Sequence, residues 1–191
     1  MLRIDNKSEI EKSEIRNQMN VLAEFKKVTT FVFDIDGVLT DSTVFCLENG
    51  LQARRMNIKD GLGLQMAMKN GFHVLAISGS QSDPVMQRLK KLGLTEVHMS
   101  VTDKKQFVSD FIKKNDLDWD EMLYMADDLP DLELMRSVGL PCCPADAVPE
   151  ILESSKYISP INGGFGCVRD VIEKVLKVQD KWIYHKDVLS K

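Results

Sequence analysis

The chain has 191 residues, 43% of them hydrophobic, which is enough for one well-buried domain and short of two large ones. A formal charge of -4 and a sequence pI of about 5.4 give no general attraction to nucleic acid or to an anionic membrane, so an anionic small molecule would need a local basic pocket. The charged start MLRIDNKSEIEKSEIRNQMN lacks the apolar core of a signal peptide, and no later run approaches a bilayer span, so the expected setting is cytoplasmic, without nucleic-acid or membrane partners.

Residues 1–25 read as a polar extension, with Ile10, Ile15, Met19 and Leu22 at mixed helical spacing, and one globular domain is expected over 26–191. From residue 29 onward, short β-type runs alternate with amphipathic stretches, the pattern of a parallel sheet covered by helices on both faces. The runs fall at 29–33, 73–77, 96–99, 122–126, 140–142 and 157–158. Between them Val85, Leu89 and Leu92, then Phe107 and Phe111, then Val168, Val171, Ile172 and Val175 mark core-facing helical stripes. Residues 43–58 break the alternation: two β-type stretches flank Glu48-Asn49-Gly50, a hairpin signal. Arg54 and Arg55 are expected on the solvent-facing side of that ribbon. Cys46, Cys142, Cys143 and Cys167 lack metal-site spacing and read as reduced thiols, while His73, His98 and His185 show no ligand pattern.

The chemistry gathers at strand ends. The apolar run Phe31-Val32-Phe33 stops in Asp34-Ile35-Asp36-Gly37, and alternation along an extended chain turns both carboxylates the same way. Two neighbouring carboxylates repel unless a cation or a proton separates them. Mg²⁺ suits oxygen ligands and phosphate, so Asp34 reads as a nucleophile forming an aspartyl-phosphate and Asp36 as the general acid/base. Ser78-Gly79-Ser80 follows the next run and offers hydroxyl and backbone donors to phosphate oxygens, and Lys104 opens the helical stretch after the third. Asp127, Asp128 and Asp131 follow the fourth run as a second acidic cluster suited to completing a metal site, and Asp128 and Asp131 are read as orienting groups or helix caps.

DIDGVLTD, Ser78, Lys104 and ADDLPD in this order resemble the four motifs of the haloacid dehalogenase superfamily. From about Lys26 to Gln179 the chain resembles its 3-deoxy-D-manno-octulosonate 8-phosphate phosphatases, through DGVLTDS and the hairpin, NIKDGLGLQ at 57–65, TDKKQF at 102–107 and GGFGCVRDVIEKVL at 163–176. The resemblance implies a capless, Rossmann-like α/β domain with an inserted β-hairpin, working as a homotetramer on a small acidic sugar phosphate in lipopolysaccharide biosynthesis. It implies Asp127 as a metal ligand beside Asp34 and the Asp36 carbonyl. It also implies substrate contacts at Asp36, Asn57, Ile58, Lys59, Asp60, Gly61, Ser78, Gly79, Arg88 and Lys104. The chain departs from many relatives at Ser80 (Arg), Gln65 (Lys) and Ala126 (Gly). The alternatives are a phosphatase for another nonulosonate or sugar phosphate and, outside enzymes, a receiver-like or scaffold protein.

Overall fold

A computed structural model describes residues 21–183. Six strands form one sheet in the order β5-β4-β1-β6-β7-β8, every pairing parallel. They are β1 (Thr30–Asp34), β4 (His73–Ile77), β5 (Glu96–His98), β6 (Met122–Met125), β7 (Leu140–Cys143) and β8 (Tyr157–Ile158). β2 (Phe45–Cys46) and β3 (Gln52–Ala53) pair antiparallel as a separate ribbon. The expected strands and hairpin are all present, with ends shifted by a residue or so and ribbon strands shorter than the 43–58 span.

Alternation along the central strands splits the core in two. Phe31, Phe33, Leu123 and Met125 face α1 (Ile58–Lys69), α2 (Asp83–Leu92) and α6 (Cys167–Val178). Val32, Met122 and Tyr124 face α3 (Lys104–Asn115), α4 (Leu132–Met135) and α5 (Pro149–Ser154). β1 is buried on both faces and lies near the middle of the sheet, so its carboxyl end opens onto the crevice where ligands bind in such sheets.

Helix α1 was not foreseen, because Gly61 and Gly63 argue against a helix by propensity. Packing overrides it: a Cβ on Gly61 would meet Leu92 at 3.1 Å and one on Gly63 would meet Arg169 at 3.2 Å, so these positions let α1 lie close against α2 and α6. Asn57 caps the start, its Oδ1 accepting from the Lys59 N–H at 2.8 Å.

Residues 21–27 are helical, and Phe25 is buried in the core with its ring 5.3 Å from that of Tyr157. The earlier part of the polar stretch, and the tail from 184 with His185, lie outside the described residues. Among the described residues no helix is long and apolar enough to cross a membrane.

Candidate active site

β1 ends at Asp34, whose side chain is buried and whose Oδ1 accepts from the Ile35 N–H at 2.7 Å. The chain then leaves the sheet in a tight turn, Ile35–Leu39, closed by the Thr40 N–H on the Ile35 carbonyl at 2.9 Å. Asp36 therefore reaches the crevice from the turn and not by strand alternation; the expected shared direction of the two carboxylates has a different cause. Gly37 makes the turn possible twice over. Its φ of 88° is left-handed, and a Cβ there would lie 1.9 Å from Asp127 Oδ2. The Asp127 carboxylate thus rests against the backbone that follows Asp36. From the other side, the Gly164 N–H donates to the Val38 carbonyl at 2.9 Å, and the Cys167 thiol meets the same oxygen at 3.3 Å.

One cavity of about 460 Å³ gathers Asp34, Asp36, Ser42, Ser78, Gly79, Ser80, Lys104, Asp127, Asp128 and Asp131. Asp103 caps α3 by accepting from the Gln106 N–H, which sets Lys104 at the helix start. Lys104 Nζ lies 2.8 Å from Asp34 Oδ1 and 2.7 Å from Asp131 Oδ1, with its side chain 9% exposed. Asp131 also accepts from the Tyr124 hydroxyl at 2.5 Å. Asp128 Oδ1 caps the short turn Leu129–Asp131. Of the two residues read as orienting groups or caps, Asp131 holds the lysine and Asp128 is the cap.

The charges are unbalanced toward the negative. Burial, then the charge of Asp131, push the Asp34 carboxyl well above the usual range, against the pull of Lys104. Burial, then Asp128 and Asp131, raise Asp127 to about 6. Burial works to lower Lys104, but Asp34 and Asp131 outweigh it and raise it. Burial acts to raise Asp36 as well, yet hydrogen bonds from Ser80, Arg54 and Ser78 and the Arg54 charge bring it below its ordinary value. Asp34 and Asp127 are oxygen donors whose anionic forms are penalised as they stand, the electrostatic condition a divalent cation relieves. Among the described residues no three Asp, Glu, His or Cys side chains form a metal cage. Mg²⁺ is held by one or two carboxylates and completes its shell with water and substrate oxygens.

Arg54 corrects the sequence expectation. Its side chain is 6% exposed, not solvent-facing, and its Nε donates to Asp36 Oδ1 at 2.6 Å. Arg55 does stand in solvent, 2.7 Å from Asp41 and stacked 4.5 Å over the Phe165 ring. Tyr124 and Ser42 were also missed. Tyr124 sits in an apolar run and reads as core, though a buried phenol needs a partner; Ser42, whose Oγ is 3.4 Å from Asp127 Oδ2, closes the DGVLTDS run, which carries no signal of that contact.

The other residues expected to touch substrate lie elsewhere in the chain. Asn57, Ile58, Lys59, Asp60, Gly61 and Arg88 do not line the Asp34 cavity. Ile58 is 67% exposed, and Lys59 borders a separate hollow with Phe165 and Arg169. Asp60 is buried, its Oδ1 accepting from the Arg169 N–H at 2.7 Å while Oδ2 has no partner among the described residues. Burial raises its carboxyl to about 6.

A parallel sheet with a DxD turn at the end of its central strand, and serine, lysine and acidic loops at neighbouring strand ends, defines a hydrolase of the haloacid dehalogenase class. No protein-family model matches the chain. A Legionella pneumophila protein described as a haloacid dehalogenase superfamily (subfamily III A) hydrolase superposes with a TM-score of 0.85 at 33% identity, covering 89% of this chain and 93% of that one. The 3-deoxy-D-manno-octulosonate 8-phosphate phosphatase of Escherichia coli K12 is 32% identical over 162 residues, 85% of this chain and 86% of the relative. The Moraxella catarrhalis phosphatase of the same name, solved with magnesium, phosphate and KDO, superposes with a TM-score of 0.83 at 30% identity, covering 85% and 94%. The chain belongs to the 3-deoxy-D-manno-octulosonate 8-phosphate phosphatase family.

Proposed function

We propose that this chain is a Mg²⁺-dependent phosphatase that hydrolyses 3-deoxy-D-manno-octulosonate 8-phosphate to the free sugar acid and phosphate through an aspartyl-phosphate. The observation that carries it is the buried Asp34 carboxylate, joined in one cavity by Lys104, Ser78 and Asp127. Asp34 and Asp127, with the Asp36 carbonyl, would hold the cation, which when bound neutralises the carboxylates and the phosphoryl oxygens. Asp34 Oδ1 is occupied by the Ile35 N–H and Lys104, so Oδ2 attacks phosphorus while the bond to the leaving oxygen breaks. Lys104 Nζ and the Ser78 hydroxyl bind phosphoryl oxygens. Asp36 takes up a proton when the negative charge of the bound phosphate disfavours its anion, gives that proton to the leaving alcohol, and then takes one from the water that attacks phosphorus and frees Asp34.

The hairpin supports a multimeric reading. Val44, Phe45, Leu47 and Leu51 are 43–63% exposed on one ribbon, an apolar patch suited to burial against other subunits of a homotetramer. In that assembly a neighbour's hairpin and 57–61 segment would cover the open cavity and meet the sugar acid, supplying the acidic sugar of lipopolysaccharide. Ser80, which bonds Asp36 at the leaving-group side, favours one second reading: a different sugar-acid phosphate as the preferred substrate. Membership of a phosphatase family gives the receiver and scaffold alternatives no support.

Steady-state kcat/KM across acidic and neutral sugar phosphates, with and without a chelator, tests the proposal. Preference for the eight-carbon acid, lost with chelator and restored by Mg²⁺, is the expected result. Preference for a neutral hexose phosphate would overturn the substrate, and chelator-resistant turnover would overturn the metal.

A further inference from the structure

The two carboxylates of the DxD turn are held in different ways. Asp34 is fixed by its own loop, through the Ile35 N–H, and by Lys104. Asp36 takes its side-chain bonds from two distant segments. Ser78 Oγ, at 3.2 Å, and Ser80 Oγ bond its Oδ2 from the loop after β4. Arg54 Nε bonds its Oδ1 from the hairpin, and the same guanidinium reaches Ser80 Oγ at 3.4 Å.

Burying a guanidinium at the foot of a ribbon costs desolvation and side-chain freedom, which only a well-made charged bond offsets. The bond it makes is to the one carboxylate that has to face the leaving group. Asp36 keeps 36% of its side chain exposed, against 6% for Arg54, so the pair presents a held carboxylate to the cavity. Its bare shape would allow rotation about two torsions; with Oδ1 fixed by Arg54, Oδ2 is the oxygen left to exchange its serine bonds for a proton and the leaving oxygen.

We propose that Arg54 is a positioning residue of the phosphatase reaction, setting the orientation of Asp36 from the hairpin. The proposal rests on the reading of Asp36 as the acid/base. As the bond from phosphorus to the leaving oxygen breaks, the proton on Asp36 Oδ2 passes to that oxygen and Asp36 becomes an anion paired with Arg54. The same oxygen then removes a proton from the attacking water.

The test compares Arg54→Met and Arg54→Lys with wild type on an alkyl sugar phosphate, whose leaving group needs a proton, and on p-nitrophenyl phosphate, whose leaving group does not. Misplacing a catalytic group by about 1 Å costs on the order of 10²-fold. Arg54→Met is accordingly expected to lower kcat on the alkyl phosphate by roughly 10- to 100-fold, with less than about 3-fold change on the aryl phosphate, and Arg54→Lys to recover most of the loss. In an Asp36→Asn background, Arg54→Met should add less than about 2-fold, because the two act as a unit.

Equal losses on both leaving groups would overturn the positioning role, as would a loss confined to carboxylate-bearing substrates, which would make Arg54 a substrate contact. If Asp36→Asn alone showed no leaving-group dependence, the acid/base reading would fall and this proposal with it. Leaving-group dependence in Asp36→Asn but none in Arg54→Met would overturn the proposal alone.

Discussion

The strand-end cluster, gathered from positions 34 to 131, and the segment from the hairpin through the start of α1 are built on opposite terms. Around Asp34 the lysine is buried and answered within the chain: Lys104 by Asp34 and Asp131, and Asp131 in turn by Lys104 and Tyr124. In the hairpin and the first turn of α1, Phe45, Leu51 and Ile58 stand 58–67% exposed, and the buried Asp60 keeps an oxygen without a partner among the described residues. On the function proposed above, the bond-breaking groups are complete within one chain, whereas the surface that would choose the substrate is left unfinished in it. Arg54 is the tie between the two.

Four experiments break or sharpen that division. Asp34→Asn strikes the finished region at its centre: turnover should fall on the order of 10⁴-fold or more on every substrate, with the fold kept, as circular dichroism would verify. Turnover near wild type would end the nucleophile assignment. Next, Asp127→Ala should raise the Mg²⁺ needed for half-maximal activity by roughly 100-fold, and Asp131→Ala by less than about 10-fold. The latter should instead lower stability by about 3 kcal/mol, since it leaves Lys104 buried with one partner fewer. A metal titration showing the reverse order would exchange their roles.

Replacing residues 44–53 by a short glycine-serine link strikes the unfinished region. On the proposed tetrameric reading, sedimentation should show wild type as a tetramer and the variant as smaller species, with sugar-phosphate kcat/KM down about 10-fold and a smaller loss on an aryl phosphate. A fully active monomer would remove the shared site and leave the Asp34 chemistry standing.

The smallest effect is on stability, at Asp60. Its carboxyl is raised by burial from 3.8 to about 6, so the folded state holds the proton more tightly than the unfolded state does. Between those values the unfolded chain binds fewer protons, and stability falls as pH rises, the full cost of roughly 3 kcal/mol being present above about 6. Asp60→Asn is therefore expected to raise Tm at pH 7.5, with the gain shrinking toward pH 4. A pH-independent difference in Tm would show that Asp60 is not charged at the expense of the fold.

The legibility of the sequence follows the same division. β1, β4 and β6 could be read because they are short apolar runs that stop abruptly, and the groups after them are polar residues that such runs would otherwise exclude. Helix α1 could not, because its glycines serve contacts with Leu92 and Arg169 that lie far off in the sequence. Arg54 looked like any ribbon arginine; its burial depends on where the hairpin folds back, which residue type does not encode. Asp36 lines the same cavity as Asp34, but strand alternation is an incomplete reason for it, since β1 ends at Asp34, two residues earlier.

The contact of Gly164 and Cys167 with the Val38 carbonyl bears on how the enzyme comes into being. It joins positions 129 residues apart in the chain, yet it braces the turn that carries Asp36. Entropy of closure grows only slowly with length, so the distance costs little at equilibrium. The turn is therefore held in part by the start of α6, which packs into the same core as β1. In a refolding reaction, turnover should return no earlier than the packing of α6, and turnover regained while α6 is still unpacked would show that the turn holds Asp36 without this clasp.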